Sequence, residues 1–128
     1  MTRGSAMGTT GTGHTSAICA RKVLGTNVYD VSGKKIGEIE DVVLDKLSNN
    51  IMFAIVSFGG FLGMAEKYHP MPWSTLDFDP DQGGYVVTAT KEQLTAAPFD
   101  SIDALTRDNG MAYRDRAYTY YKAEPYWN

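Results

Sequence analysis

Several groups of residues in this chain have types and spacings that could do chemistry. Gly8-Thr9-Thr10-Gly11-Thr12-Gly13-His14-Thr15 carries its glycines at the spacing of a phosphate-cradling loop. Such a loop turns backbone N–H groups onto the phosphates and needs a lysine before its last hydroxyl residue. His14 stands in the lysine's place, and no strand precedes the glycines. Nucleotide binding is therefore not expected. Asp77-Phe78-Asp79-Pro80-Asp81 resembles the opening of a calcium loop. That loop requires glycine at its sixth position and a bidentate Glu at its twelfth. Those positions hold Gln82 and Thr88, so a solvated acidic turn is the reading.

Glu66 and His69, three apart beside a run of glycines, have the chemistry of an acid/base pair. Ser74 and Thr75 follow closely but carry no flanking motif that would activate a nucleophile. Cys19 is the one cysteine, and nothing beside it marks a lowered thiol pKa. No group completes a reaction centre. The chain reads as non-enzymatic, with no metal and no cofactor.

The elements that would have to position such residues centre on the stretch from Asn50 to Trp73. Ile51-Met52-Phe53-Ala54-Ile55-Val56-Ser57-Phe58 is an apolar, β-branched and aromatic run suited to a strand. One face carries Ile51, Phe53 and Ile55, the other Met52, Ala54, Val56 and Phe58. A strand apolar on both faces must be covered on both. Ala54, Val56 and Phe58 are expected inward, with the other set exchangeable for them. Gly59-Gly60-Phe61-Leu62-Gly63 then frees the backbone, and with Pro70 and Pro72 the following strand either starts late or lies at an edge.

Gly59-Gly60-Phe61-Leu62-Gly63 with Pro72-Trp73, and upstream Gly33-Lys34-Lys35-Ile36-Gly37-Glu38-Ile39-Glu40-Asp41-Val42, resemble the PRC-barrel domain. This is the small β-barrel of the photosynthetic reaction-centre H subunit, found also in ribosome-maturation factors. The resemblance runs from Val23 to Pro98 and implies a binding role more than a catalytic one.

Around that core the chain reads in order. Residues 1–20, rich in Gly, Thr and Ser, form a disordered arm. Leu24 to Tyr29 is a first strand and Ile36 to Asp45 a second, bent at Gly37 where the apolar phase breaks. Leu47-Ser48-Asn49-Asn50 turns into the third strand. A fourth strand is placed at Met71 to Phe78, with Trp73 buried in the barrel, and a fifth at Tyr85 to Ala89. Thr90 and Gln93 form a capping box for a helix that Pro98 ends. The expected fold is mainly β: an antiparallel barrel of five to six strands over residues 21–98, with one short helix. Residues 99–128 form an aromatic tail.

Five of the eight tyrosines and Trp127 fall within that tail's last sixteen residues, a composition typical of contact surfaces. The expected interface comprises Ile51, Phe53, Ile55, Tyr118, Tyr120, Tyr121, Tyr126 and Trp127. The tail covers the outer strand face either within one chain or across a homodimer or higher homo-oligomer. Net charge is −3, with no long cationic run, which argues against direct nucleic-acid binding. No stretch has the ~20 apolar residues of a membrane span. No apolar segment follows Arg3, so a cytoplasmic protein is expected. The leading function is a self-associating protein-interaction or scaffold module with an unidentified protein partner. The alternatives are an RNA- or ribosome-associated assembly factor and an accessory of a membrane complex.

Overall fold

A computed structural model describes residues 17–63 and 67–127. The strands are β1 (Asn27–Tyr29), β2 (Lys35–Asp45), β3 (Asn50–Ser57), β4 (Tyr68–Met71), β5 (Asp77–Asp79) and β6 (Gly84–Val86). The helices are α1 (Ala20–Val23), α2 (Lys91–Ala96), α3 (Ile102–Thr106) and α4 (Met111–Tyr121). Six strands form one sheet in the order β4-β3-β2-β1-β6-β5.

The sheet corrects the expected antiparallel closure. β1 and β6 run parallel, Val28 opposite Tyr85, while every other neighbouring pair is antiparallel. The β5–β6 hairpin returns the chain beside β1 in β1's own direction, and the ends β4 and β5 do not pair with each other. Among the described residues the single expected helix becomes four, because the tail folds as α3 and α4 and a turn of helix precedes β1. Thr90 and Gln93 do close a capping box on α2.

Strand positions shift for local reasons. The fourth strand is Tyr68–Met71, earlier than expected, and Pro72 then starts a 3-10 turn at Trp73–Thr75. Pro70 is tolerated in β4 because β4 is an edge strand. Trp73 is half-buried, its ring 5.3 Å from that of Tyr85, and does not lie inside the core. At the second strand the register skips Ile36, passing from Gly37 opposite Val28 to Lys35 opposite Tyr29. Gly37 is required there for space. A Cβ on it would stand 2.3 Å from the Ser57 carbonyl oxygen of the neighbouring strand. Asn49 turns the β2–β3 hairpin with a φ of 63°.

β3 divides two cores. Ala54, Val56 and, just beyond the strand, Phe58 pack with Val28, Ile39, Met71 and Leu94 in the larger one. Met52, Phe53 and Ile55 pack with Leu105, Tyr68 and Tyr113 in the smaller. Met52 joins Phe53 against simple alternation because the register skips it: Val43 lies opposite Phe53 and Leu44 opposite Ile51. α4 covers this second face with the spacing 114, 117, 118, where Arg114, Ala117 and Tyr118 are buried.

Candidate functional site

His69 lies on β4 opposite Val56, and so faces the larger core. Its ring has no exposed surface and packs 5.1 Å from Phe58 and 5.6 Å from Phe99, centroid to centroid. Among the described residues neither ring nitrogen has a hydrogen-bond partner. Burial pushes the imidazole pKa down to about 4; the nearby Pro98 backbone opposes this weakly without meeting hydrogen-bond geometry. Glu66, Gly8–Thr15 and His14 lie outside the described residues. His69 is thus a neutral core residue with no solvent-facing atom for proton exchange.

The acidic turn closes on itself. Asp79 accepts from the Asp81 N–H at 2.9 Å and from Gln82 Nε2 at 3.0 Å. Among the described residues no group of three His, Cys, Asp or Glu side chains could hold a metal ion. Cys19 is exposed ahead of α1.

The tail residues form a continuous cluster. Phe53 and Ile55 are buried with Leu105 and Tyr113, and Ile51 is half-buried at the hairpin. Tyr118 Oη donates to the Met52 carbonyl at 2.9 Å, and Tyr126 Oη donates to Asp45 at 2.6 Å. Burial, and then the Asp45 carboxylate, push the Tyr126 pKa up to about 12. Trp127 packs edge-on to Tyr118 and Tyr126, and the Arg114 guanidinium sits 3.7 Å over its ring. Tyr113 Oη bonds Asp100, whose backbone bridges to Tyr68 on the β4 edge. Tyr121 packs on the larger core, and burial raises its pKa. Tyr120 stays partly exposed while donating to the Gln93 carbonyl at 2.6 Å. Tyr118, Tyr126 and Trp127 therefore meet within one chain, fastened to Met52 and Asp45, while Leu105 and Tyr113 of the same tail pack on Phe53 and Ile55.

The glycine shoulder presents a different surface. Gly59–Leu62 forms a 3-10 turn closed by Phe61 N–H to the Phe58 carbonyl at 2.9 Å. Gly63 ends it with a φ of 68° and an N–H donated to Gly60. Leu62 anchors the turn in the core and leaves Phe61 half-buried above it. Lys34 and Lys91 place their ammonium groups 5.2 and 5.4 Å from the Phe61 ring centroid. Among the described residues neither lysine has a carboxylate within salt-bridge distance. Sequence reading assigned these glycines to backbone freedom and passed over Phe61. The two lysines, 57 positions apart, meet only through the fold.

A model of the PRC-barrel domain matches residues 17–94. The chain belongs to the PRC-barrel family. The match takes in β1 to β6, the glycine shoulder and the start of α2, and leaves α3 and α4 outside. An uncharacterized protein of Deinococcus radiodurans is 30% identical over 71 residues, 56% of this chain and 25% of that protein. The PRC-barrel chain thus spans about a quarter of that relative's length. Among solved structures, a 16S ribosomal RNA processing protein, RimM, of Pseudomonas aeruginosa aligns with a TM-score of 0.38 and 14% identity. The alignment covers 65% of this chain and 50% of that one. No helix among the described residues is long and apolar enough to cross a membrane.

Proposed function

We infer that this PRC-barrel chain is a non-catalytic interaction module that docks on another macromolecule through the shoulder around Phe61. The observation that carries this reading is the half-exposed Phe61 ring, held on a hydrogen-bonded turn and flanked by two lysines that form no salt bridge among the described residues. An aromatic side chain on a rigid frame supplies contact area at small entropic cost. The sealed, neutral His69 supports a binding role over an acid/base one.

We take residues 21–98 as the docking barrel and 99–128 as its lid. Burial of Phe53 and Ile55 beneath the chain's own tail removes the physical need for a second copy at that face. The partner is accordingly a different molecule. A ribosome-associated assembly role is the second reading, favoured because ribosome-maturation factors carry the PRC-barrel that the glycine and Pro-Trp motifs resemble. With a net charge of −3, the contact in that case is a ribosomal protein more readily than RNA.

Affinity capture from native extract, with the wild-type chain and with Phe61→Ala, tests both readings. A non-ribosomal protein lost from the variant supports the first. Ribosomal proteins lost from the variant, and retained after nuclease treatment, support the second. Identical recoveries from the two baits would remove Phe61 from the contact and overturn the docking face.

A further inference from the structure

Below Phe61 the barrel surface opens into a cavity of ≈ 210 Å³. Ile36, Val87 and Leu94 form its buried walls, and Ala89 and Phe61 its half-buried ones. Val31, 74% exposed, stands at the mouth with its apolar side chain in water. This volume is below the ~300 Å³ at which small-molecule sites begin, so it suits one inserted side chain better than a whole ligand.

Charge fixes what must accompany that side chain. Lys91 lines the cavity and shares the Phe61 ring with Lys34. Asp30 also lines it, but its Oδ1 already accepts from Ser32 N–H, Ser32 Oγ and Lys34 N–H, at 2.9, 2.7 and 3.0 Å. Two ammonium groups against one occupied carboxylate leave a surplus positive charge at the mouth. On a chain with net charge −3 this is a local inversion.

We propose that the cavity receives one aliphatic side chain of a partner protein segment, whose neighbouring Glu or Asp carboxylate sits on Lys34 and Lys91. The inference rests on the docking reading above and gives it a chemistry: an apolar residue beside an acidic one. The insertion buries apolar surface against Val87 and Leu94, and the carboxylate adds a second negative charge beside that of Asp30 to balance the two ammonium groups.

The test is a titration of the isotopically labelled full chain with the blocked peptide Ac-Gly-Leu-Glu-Gly-NH2, followed by amide shifts. Saturable shifts at Phe61, Val87, Ala89 and Lys91 are expected, with Kd on the order of 1 mM. Replacing the peptide's Glu by Gln should weaken binding about fivefold, and replacing its Leu by Ala about tenfold. The Glu preference should vanish in the double variant Lys34→Gln with Lys91→Gln, whose substituted side chains are exposed and leave the fold intact. It should also fade on going from about 0.05 to about 0.5 M salt.

No saturable shift up to roughly 10 mM peptide would overturn the proposal. So would equal affinity for the Glu and Gln peptides, a preference surviving in the double variant, or shifts confined to residues outside the cavity lining. Free isocaproate matching the peptide's affinity would replace the partner segment by a small acid and defeat it too. If these peptides fail while Phe61→Ala still loses its captured partner, the carboxylate chemistry falls and the docking face stands.

Discussion

Tyr118 and Met52, 66 positions apart, are joined by a buried hydrogen bond of 2.9 Å from the phenol to the backbone carbonyl. The β2–β3 register passes over Met52, and the phenol of α4 supplies a partner for its carbonyl. The tail is thus fastened at a place where β3 departs from its ladder with β2. Tyr118→Phe keeps the ring against Trp127 but leaves that carbonyl buried and unpaired. The loss should be about 1–3 kcal/mol, read as a lower urea midpoint with an unchanged slope. An unaltered midpoint would mean that water reaches Met52 and the fastening is illusory.

Removing residues 111–128 strips α4 from Met52, Phe53 and Ile55. Each large side chain returned to water forgoes roughly 1.5–3 kcal/mol, a heavy loss for a small domain. The shortened chain should therefore self-associate or lose its fold. Light scattering should give a higher mass for it than for the full chain, together with binding of an apolar dye. A shortened chain that melts as before at an unchanged mass would show that the tail is no lid.

Much of the frame was legible because strong local signals coincide with tertiary demands. Ile51–Phe58 reads as a strand apolar on both faces, and the fold covers both. The phase break at Gly37 and the Thr90–Gln93 box are equally local features, and both appear where the sequence places them. The parallel β1–β6 pair was not legible, since strand direction across a sheet is set by long connections and no residue encodes it. α4 escaped for a different reason. Its buried face is built from Arg114, Ala117 and Tyr118, so the helical period is carried by contact and not by hydropathy. Arg114 is bearable there because its guanidinium lies on Trp127 and pairs with Asp115. At the candidate site, the glycines signalled the turn, but the meeting of Lys34 and Lys91 at Phe61 depends on three separate segments.

Gly37 has no unusual φ, so the demand for glycine there is one of space alone. Its absent Cβ would meet the Ser57 oxygen at 2.3 Å and Phe58 Cδ1 at 2.9 Å. The oxygen belongs to the neighbouring strand and can retreat only by parting β2 from β3. Gly37→Ala should therefore cost toward the upper end of the 1–3 kcal/mol, roughly, that overpacking incurs. Gly60, where an added Cβ would meet nothing described within 4 Å, is the control: Gly60→Ala should leave the melting temperature within about 2 °C. Equal melting temperatures for the two variants would show that the strands separate freely.

The unpartnered His69 makes stability depend on pH in a window of its own. Its folded pKa is about 4 against 6.5 for a free imidazole, so the fold holds the ring neutral. Above pH 6.5 neither state is protonated and the residue contributes no slope. As pH falls below 6.5, the unfolded chain binds a proton that the folded chain refuses, and stability declines until about pH 4. At about 1.4 kcal/mol per unit the full loss is roughly 3 kcal/mol. Asp30, Asp45, Asp79 and Asp100 are held below the usual carboxylate range by hydrogen bonds. Their contribution is lost as pH falls below about 4, beneath the histidine window. Asp100, whose carboxylate is held below the usual range, stays ionised between pH 4 and 6.5 and adds no slope there. His69→Leu removes both the titration and two unpaired ring nitrogens. Its stability at pH 7 should equal or exceed the wild-type value, and its urea midpoint should be flat from pH 6.5 to 4.5 while the wild type falls. A wild-type midpoint that stays level over that interval, or a variant that falls as steeply, would place His69 in contact with water and undo the case for a sealed ring.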